Sequence, residues 1–398
     1  MTETISVIGL GYVGLPLAIA AANSGYKVIG VDKDLKKIEL ICGGSAQIDG
    51  IDHIELRSLI DSKQINVGTE YSAIENSKII IVCVPTPLTK DHKPDLGFVI
   101  GATEELSPFI KKDTLIVFES TVSPGTTREV LAPLIHRNSS LKNSEYFIAF
   151  SPERIDPANL IWNVKNTPKL VAGMNTEAVN KAGEFYSKFI DKVIVCESLE
   201  IAETAKLLEN SFRLLNIAFI NELSNFCSRQ GIDILKVIEA ASNKPYGFMP
   251  FYPSLGAGGH CIPVDPVYLS TKANEVGAPT KLLELAQQIN ANTPKDYVKR
   301  LESKVGKIKG KRVLVIGIAY KANVADVRES SALILINELR RKKAIVNWHD
   351  ELVKEWDGQK SVGLGGQFDF AIVATQHNDV DLSQLSAIDI YDSRSSVI

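Results

Sequence analysis

The sequence predicts an α/β protein with two doubly wound, Rossmann-like domains joined by a helical domain with one long central helix. Two observations predict this fold class. Short apolar runs alternate with helical segments near both ends of the chain, which is typical of parallel sheets covered by helices. Between these two regions, residues 199–231 form one helical stretch without proline and with glycine only at its end.

The first alternating region begins with a short β-rich run that leads through glycines into an apolar helix at Leu15–Ser24. The later runs are almost continuously apolar, as strands buried on both faces of a parallel sheet are. The strands that we expect are Thr4–Ile8, Lys27–Val31, Ile79–Val84, Leu115–Phe118 and Tyr146–Phe150.

After the long helix, a glycine-rich loop at 256–259 precedes a helical stretch through Leu282–Ile289, which we expect Pro294 to end. A second alternation begins at Lys311 with RVLVIGIAY, continues with a helix at Ala332–Arg340, and ends with AIVNWHD, FDFAIVAT and IDIYDS. We therefore predict an NAD-binding domain at 1–195, a helical central domain at 196–300 and a second Rossmann-like domain at 301–398.

Length and composition are those of a folded enzyme with more than one core. The chain has 398 residues, 45% hydrophobic and 23% charged, with a net charge of −3. This charge predicts no nucleic-acid binding. No apolar run approaches the roughly 20 residues of a membrane span, and no signal peptide is present, so we expect a cytoplasmic protein. The five cysteines lack paired spacing and the six histidines are scattered, so we predict neither disulfides nor a metal site.

The first glycines match the pattern GxGxxG at Gly9, Gly11 and Gly14, with Tyr12 and Val13 between them. In this pattern the first glycine makes a tight turn and the second lets the backbone approach a pyrophosphate. The third lets helix and strand pack closely, and the helix N-terminus attracts the phosphate charge.

Asp32 ends the next predicted strand, where an acid accepts hydrogen bonds from the adenosine ribose and repels a 2′-phosphate. The cofactor predicted by these features is NAD rather than NADP. The alternative, glycines that merely form a turn and a solvated Asp32, is disfavoured because both features occur at the expected spacing. Four further residues lie where predicted strands end, the edge at which such sheets bind ligands, although each could belong to an ordinary loop. They are Pro85, Thr86, Ser120 and Thr121.

Cys261 lies in the glycine-rich segment GAGGHCIPVDP. Buried structural cysteines are common and inert, which is the ordinary interpretation of the others. Glycines beside Cys261 permit a substrate to approach closely, so this thiol is a candidate nucleophile. The adjacent His260 is not assigned as its base, because neighbouring side chains on an extended loop usually diverge.

Seven segments in this order resemble the UDP-glucose/GDP-mannose dehydrogenase family over essentially the whole chain: GLGYVGLP, VPTP, ESTVSPGT, SPERIDP, ETAKLLENSFR, GGHCIPVDP and YKANVADVRES. The resemblance implies a four-electron oxidation of the C6 alcohol of a nucleotide sugar that uses two NAD+ in succession. The Cys261 thiolate would attack the intermediate aldehyde, and the thiohemiacetal would be oxidised to a thioester that water hydrolyses.

The resemblance also implies roles for other residues. Lys206 and Asn210, one turn apart on the long helix, would stabilise the oxyanion, although alone they would be a solvated polar stripe. Asp265 would work with Thr121 through an ordered water in proton transfer. Glu153 would be the base for thioester hydrolysis, although such acids are more often caps or salt-bridge partners.

In the second α/β region, GIAYK stands where the first has GLGYVG, so the glycines for a pyrophosphate are missing. By resemblance this region binds the uridine diphosphate part of the substrate. Lys321 and Arg394 are the candidate anion contacts, although both could be surface charges. Arg328 would reach the cofactor or substrate cleft. Three residues of the motifs quoted above complete the predicted substrate site: Glu153, Arg154 and Gly258.

SPERIDP together with GGHCIPVDP resembles the enzymes that act on UDP-N-acetylhexosamines, UDP-N-acetylglucosamine in particular, whose product would be a precursor of surface polysaccharide. UDP-N-acetylmannosamine, the galacto epimer and UDP-glucose remain open. The apolar central helix predicts a homodimer, since a monomer would expose it. A two-electron dehydrogenase, which would need no thiol, and an NAD-binding protein without catalysis are the competing hypotheses.

Overall fold

The structure is a computed structural model that describes residues 3–48, 50–156, 159, 161–385 and 387–395. The chain forms two compact units, Met1–Leu208 with Val267–Lys272 and Glu209–Pro266 with Ala273–Ile398. The division passes through the long helix, between Leu208 and Glu209. The predicted fold class is confirmed, because a sheet covered by helices occurs near each end of the chain, with the long helix between.

The first unit is built on a mostly parallel sheet. Its strands are β1 (Thr4–Ile8), β2 (Lys27–Val31), β3 (Ile65–Gly68), β4 (Ile79–Val82), β5 (Leu115–Phe118), β6 (Phe147–Phe150), β7 (Lys169–Gly173) and β8 (Val193–Val195). They lie in the order β3-β2-β1-β4-β5-β6-β7-β8. The first six strands in this order are parallel. The order reverses between β1 and β4, which opens a crevice at the carboxyl ends of these strands.

Helices cover both faces of this sheet. They are α1 (Gly14–Asn23), α2 (Leu35–Cys42), α3 (His53–Asp61), α4 (Gly97–Leu106), α5 (Ala132–Asn138) and α6 (Thr176–Ser187). Because successive side chains of a strand point to opposite faces, Ile79 and Ile81 join the core under α1 and α6. Ile80 and Val82 join the core under α4 and α5.

Three parts of this sheet differ from the sequence-based expectation. The short strands β3, β7 and β8 were not predicted, because their apolar runs are brief or partly exposed. The strand expected to reach Val84 ends at Val82, since Pro85 lacks the N–H that a strand needs. The five predicted strands are parallel as expected, but the unpredicted β7 runs antiparallel to β6.

The long helix α7 (Leu199–Gln230) ends one residue before the predicted bound. Gly231 follows it with a φ of +68°, the left-handed conformation in which helices commonly terminate. In the second unit, Cys227 of α7 packs in a small core with Ile234 and Ile238 of the next helix, α8 (Ile234–Ser242).

Two helices follow the glycine-rich loop, α9 (Asp265–Glu275) and α10 (Lys281–Val305). The expected break at Pro294 is wrong, because this proline lies inside α10. Its missing N–H costs one helical hydrogen bond, about 3 kcal/mol. Burial of one face along the whole helix offsets that cost: Leu283, Ala286, Asn290, Pro294, Tyr297, Val298 and Leu301.

The second unit has a parallel sheet of its own. Its elements are β9 (Arg312–Ile316), α11 (Ser331–Arg341), β10 (Ile345–His349), β11 (Glu355–Trp356), β12 (Gln359–Lys360), β13 (Phe370–Val373) and β14 (Asp389–Asp392). The strand order is β10-β9-β13-β14, and β11 and β12 form a separate antiparallel pair. Val313 and Val315 face the core under α10 and α11. Within the described ranges, no helix is long and apolar enough to cross a membrane.

Candidate active site

The glycine loop between β1 and α1 has the geometry that its sequence predicts. Gly9 has a φ of +89°, and a Cβ atom there would lie 2.7 Å from the Cys83 carbonyl oxygen. A Cβ at Gly14 would lie 1.8 Å from the Gly9 carbonyl oxygen, whereas one at Gly11 would meet nothing within 4 Å. The fold therefore requires the first and third glycines, and the second leaves open the surface that a pyrophosphate would approach.

Asp32, directly after β2, fixes this loop. Its Oδ2 accepts hydrogen bonds from the Leu10 amide at 2.8 Å and from Lys37 Nζ at 2.7 Å, and its side chain is 10% exposed. The carboxylate lies beside the glycine loop, where an adenosine ribose would be bound. The glycine loop, the open side of Gly11 and Asp32 together fit an NAD molecule.

The other predicted cofactor contacts lie at the ends of β4 and β5, the strands next to β1. Ser120 Oγ donates to the Val84 carbonyl at 2.6 Å, which joins the two loops. Thr86 and Ser120 are buried, Thr121 is partly exposed and Pro85 is exposed. These residues therefore follow the same sheet edge as the glycine loop, where the doubly wound fold binds ligands.

Glu153 belongs to a buried charge cluster in the first unit. Lys169 Nζ lies 3.1 Å from Glu153 Oε2 and 2.8 Å from Glu119 Oε2, and Tyr186 OH donates to Glu119. Burial alone would raise the pKa of Glu153, but Lys169 and the amide of Ile155 lower it below its ordinary value. Burial outweighs Lys169 at Glu119 and raises the pKa of that carboxyl to about 7.

Lys206 and Asn210 lie one turn apart on α7 and are 8% and 7% exposed, so they do not form a solvated stripe. One turn before Lys206, Glu203 accepts hydrogen bonds from the amides of Gly125 at 2.6 Å and Thr127 at 3.0 Å. This buried carboxylate ties α7 to the turn that follows Thr121. It fixes the part of α7 that carries Lys206 within the first unit.

Cys261 is exposed and lies just before α9 in the second unit. Its carbonyl oxygen accepts a hydrogen bond from the Asp265 amide at 2.8 Å. The buried Asp265 carboxylate accepts a hydrogen bond from Asn210 Nδ2 at 2.6 Å. Asn210 and Asp265, two predicted catalytic residues 55 positions apart, are therefore in direct contact. Cys261, the predicted nucleophile, begins the turn that Asp265 ends.

Glycine is required beside Cys261 for a different reason from the one expected. A Cβ at Gly258 would lie 2.8 Å from the Glu329 carbonyl oxygen, and one at Gly259 would lie 2.6 Å from the Tyr320 ring. The space in which side chains would stand is thus filled by the second unit itself. Close packing of this loop, rather than room for a substrate, requires glycine at both positions.

The second sheet repeats the turn of the first but uses its acid differently. Gly317 has a φ of +77°, and a Cβ there would lie 1.6 Å from the Thr375 carbonyl oxygen. Asp350 follows β10 as Asp32 follows β2, and its side chain is fully buried. Its oxygens accept hydrogen bonds from four backbone amides, and His377 Nε2 lies 3.2 Å from Oδ2.

Three of the cationic residues predicted for the substrate, Lys321, Arg328 and Arg394, lie in the second unit. Arg328 forms a salt bridge with Asp326 at 2.6 Å, and Arg394 forms one with Asp392. Lys321 lies in the loop after β9. In the first unit, Arg154 Nη1 donates to the Pro168 carbonyl at 2.8 Å.

Comparison with known proteins agrees with this geometry. Residues 3–190 match the NAD binding domain of the UDP-glucose/GDP-mannose dehydrogenase family, residues 200–292 its central domain and residues 314–395 its UDP binding domain. The chain is 32% identical over 388 residues to the UDP-N-acetyl-D-glucosamine 6-dehydrogenase of Pseudomonas aeruginosa, covering 94% of this chain and 90% of that protein. The chain belongs to the UDP-glucose/GDP-mannose dehydrogenase family.

Other members are equally similar. The UDP-N-acetyl-D-mannosamine dehydrogenase of Methanococcus maripaludis is 35% identical over 355 residues, 87% of this chain and 79% of that protein. The structure of the UDP-D-ManNAc dehydrogenase from Pyrococcus horikoshii superposes with a TM-score of 0.89 at 29% identity, covering 100% and 96% of the two chains. Family membership makes this chain an NAD-dependent UDP-sugar dehydrogenase.

Several site residues of this dehydrogenase escaped the sequence analysis. Glu119 directly precedes Ser120 in the ESTVSPGT motif, and Glu203 lies at the start of ETAKLLENSFR, so both had a usable signal in the family motifs. Lys37 lies five residues after Asp32 and had a weaker signal. Lys169 had none, because only the unpredicted antiparallel strand β7 places it beside Glu153.

Proposed function

We propose that this dehydrogenase oxidises the C6 alcohol of a UDP-N-acetylhexosamine to a carboxylate, with two NAD+ used in succession and a thioester formed on Cys261. One observation carries the proposal. The exposed thiol of Cys261 begins the turn that Asp265 ends, and the Asp265 carboxylate is held by Asn210. A nucleophile, an acid and an amide donor in one cluster are the groups that aldehyde capture and oxidation require.

The glycine loop and Asp32 would hold NAD+, which would supply the hydride acceptor for each oxidation. Asp265, oriented by Asn210, acts with Thr121 to take the proton of the C6 hydroxyl. The Cys261 sulfur then adds to the aldehyde carbon, and Lys206 with Asn210 stabilises the negative oxygen that forms. Both of these residues are buried, so solvent screens their charge and dipole little.

Glu153 is the base that activates water for hydrolysis of the thioester. A general base has to be ionised at the working pH. The pKa of Glu153 lies below its ordinary value because Lys169 and the Ile155 amide outweigh the effect of burial. The carboxylate is therefore ionised at neutral pH and available to orient and deprotonate a water molecule.

UDP-N-acetylglucosamine is the first candidate substrate, and its product would be a precursor of surface polysaccharide. The SPERIDP and GGHCIPVDP segments and the Pseudomonas aeruginosa relative support it. UDP-N-acetylmannosamine is the second candidate, because a relative of similar identity carries that name. The UDP group would bind the second unit through Lys321 and Arg394, with Arg328 as a further cation of that unit.

A homodimer formed through α7 is also part of the proposal. Phe212, Phe219 and Phe226 follow one another at intervals of seven residues, which places them along one side of the helix. They are 46%, 62% and 55% exposed. A row of exposed aromatic side chains is typical of a protein–protein interface, and a second copy of the helix would bury it.

The test is to incubate the protein with NAD+ and, separately, UDP-GlcNAc, UDP-ManNAc, UDP-GalNAc and UDP-glucose, and to count NADH formed per sugar consumed. Two NADH per UDP-GlcNAc would support both the four-electron reaction and the substrate. One NADH per sugar would contradict the thioester mechanism, and turnover of another sugar alone would replace the substrate.

Cys261→Ser with Cys42→Ser as its control isolates the thiol. Both cysteines are exposed, but Cys42 ends α2 and lies outside the proposed site. We expect Cys261→Ser to stop the reaction at or before the thioester and Cys42→Ser to retain the wild-type stoichiometry. Equal activity of the two variants would refute a covalent role for Cys261.

A further inference from the structure

Two members of a buried group of three charges in the first unit, Lys169 and Glu119, have no role yet in the proposed reaction. The Lys169 side chain is 6% exposed, and its two carboxylate partners, Glu119 and Glu153, are 0% and 14% exposed. Removing an ion from water costs several kcal/mol, and attraction between partners repays this only with good geometry. One carboxylate would be enough to neutralise Lys169, so the second calls for an explanation.

The antiparallel pairing of β6 and β7 creates this arrangement. Phe150 at the end of β6 pairs with Ala172 of β7. Three residues after Phe150 and three residues before Ala172, the same antiparallel register places Glu153 opposite Lys169. Ser151 Oγ donates to the Leu170 carbonyl at 2.7 Å, which holds the two chain segments together beyond the last ladder pair. Lys169 is thus placed at Glu153 by the sheet itself.

The Glu153 carboxylate is held at both oxygens. Its Oε1 accepts hydrogen bonds from the amides of Arg154 at 2.6 Å and Ile155 at 2.5 Å, and its Oε2 lies 3.1 Å from Lys169 Nζ. Lys169 is held in turn by Glu119, to which Tyr186 also donates. Such contacts fix the plane of a carboxylate, as a base that must meet one water molecule requires.

We propose that Lys169 is a positioning residue that keeps Glu153 ionised and oriented for hydrolysis of the thioester. This inference rests on the proposed function, because it assigns Lys169 to the last step of that reaction. In that step the water oxygen bonds to the acyl carbon and Glu153 takes a water proton. The C–S bond breaks, and Cys261 leaves as the thiolate.

The electrostatics agree with this geometry. Burial alone would raise the pKa of Glu153, and Lys169 is the largest influence that lowers it. Glu119 competes for the same cation, and burial raises the pKa of Glu119 to about 7. The other titratable groups that act on this pair of carboxylates are Lys206, Tyr186 and Cys83.

Loss of the cation should therefore shift the pH dependence of hydrolysis. Lys169→Met removes the cation, so the pKa of Glu153 rises and the acid limb moves to higher pH. Glu119→Gln keeps the cation and should leave the acid limb in place, because Glu119, with a pKa of about 7, is already neutral when Glu153 titrates. Lys169→Arg keeps the charge and should keep the limb of the wild-type protein.

The experiment measures the acyl-enzyme directly. Enzyme is mixed with excess NAD+ and one equivalent of UDP-GlcNAc, or of whichever of the four UDP-sugars is oxidised. It is quenched with acid at intervals and weighed by intact-protein mass spectrometry, at a series of pH values. We expect Lys169→Met to shift the acid limb by about one unit or more, which slows decay about tenfold at a pH below both limbs. Raising the pH should restore the decay rate.

Each outcome decides between a positioning and a purely structural role. An upward shift of the limb in Lys169→Met, with no shift in Lys169→Arg or Glu119→Gln, supports the inference. A decay rate that falls by the same factor at every pH in Lys169→Met, or a limb that does not move, would overturn it. If Lys169→Met does not fold, Lys169→Gln removes the charge in its place, and an unmoved limb in that variant overturns the inference. Absence of an adduct in the wild-type protein would instead refute the thioester mechanism.

Discussion

Alanine substitutions at two glycines of the cofactor loop should damage the protein in different ways. A Cβ at position 14 would lie 1.8 Å from the Gly9 carbonyl oxygen, whereas real Cβ contacts are no shorter than 3.0 Å. The main chain must then move by at least 1.2 Å, the difference between these distances. No side-chain rotation relieves this clash, because the contacted atom belongs to the backbone. Overpacking costs about 1–3 kcal/mol or more, so we expect Gly14→Ala to lose about 3 kcal/mol of stability.

Gly11→Ala is the matched comparison. A Cβ at position 11 meets nothing within 4 Å, and Gly11 is absent from the glycines with positive φ. The free energy of unfolding should therefore change by no more than about 0.5 kcal/mol. The new methyl group would stand where the pyrophosphate approaches the backbone. We expect NAD+ affinity to fall about tenfold or more, or about 1.4 kcal/mol of binding free energy.

Urea unfolding of the cofactor-free proteins measures the stability change, and calorimetric titration with NAD+ measures the affinity. Gly14→Ala should lower the free energy of unfolding. Gly11→Ala should weaken NAD+ binding and leave the free energy of unfolding unchanged. The assignment of separate roles to the two glycines would be wrong if both variants lost stability equally. It would also be wrong if Gly11→Ala bound NAD+ as tightly as the wild-type protein.

Three further predictions follow from single contacts. Glu203→Gln puts an amide group opposite two backbone N–H donors, and it should lower the free energy of unfolding in urea by about 1–3 kcal/mol. Its control, Glu200→Gln, removes a surface pair with Arg128 and should lower that free energy by less than about 1 kcal/mol. Phe219→Glu should convert a dimer to monomer in sedimentation velocity, and an unchanged mass would exclude α7 as the interface. The pKa of Asp350 is about 2, below its unfolded value, so its contribution to stability is present above pH 4 and lost as pH falls through 2. The stability difference between wild type and Asp350→Asn should therefore shrink in this range, and a constant difference would contradict the assignment.

The parts of the fold that the sequence predicted are those with strong local signals. Residues 199–230 form a helix within one residue of its predicted end, because 32 residues without proline or glycine leave no other regular structure. The strand at Thr4–Ile8 was predicted because a short apolar run meets a glycine turn and a helix. Gly9 and Gly14 have the close packing that their spacing predicts.

The parts that escaped prediction depend on tertiary context. Pro294 was expected to end a helix, but burial on one face of α10 outweighs a local preference that the sequence expresses strongly. Lys169 contacts Glu153 only because β7 turns antiparallel to β6, and strand direction leaves no local mark in the sequence. The glycines at 258 and 259 were interpreted from their neighbour Cys261, whereas their packing partners, Glu329 and Tyr320, lie 60 or more residues away.

The two sheets share one local turn geometry but differ in the acid that follows it. The Gly9 amide donates a hydrogen bond to the carbonyl of Val31, the last residue of β2, at 2.8 Å. The Gly317 amide donates to the carbonyl of His349, the last residue of β10, also at 2.8 Å, and both glycines have a φ in the left-handed region. The acids that follow differ. Asp32 remains 10% exposed beside the glycine loop, whereas Asp350 is fully buried with both oxygens bonded to backbone amides. A ribose hydroxyl has no access to an acid bonded in this way. The second sheet therefore lacks the acid by which the first would select NAD, which agrees with its match to a UDP binding domain.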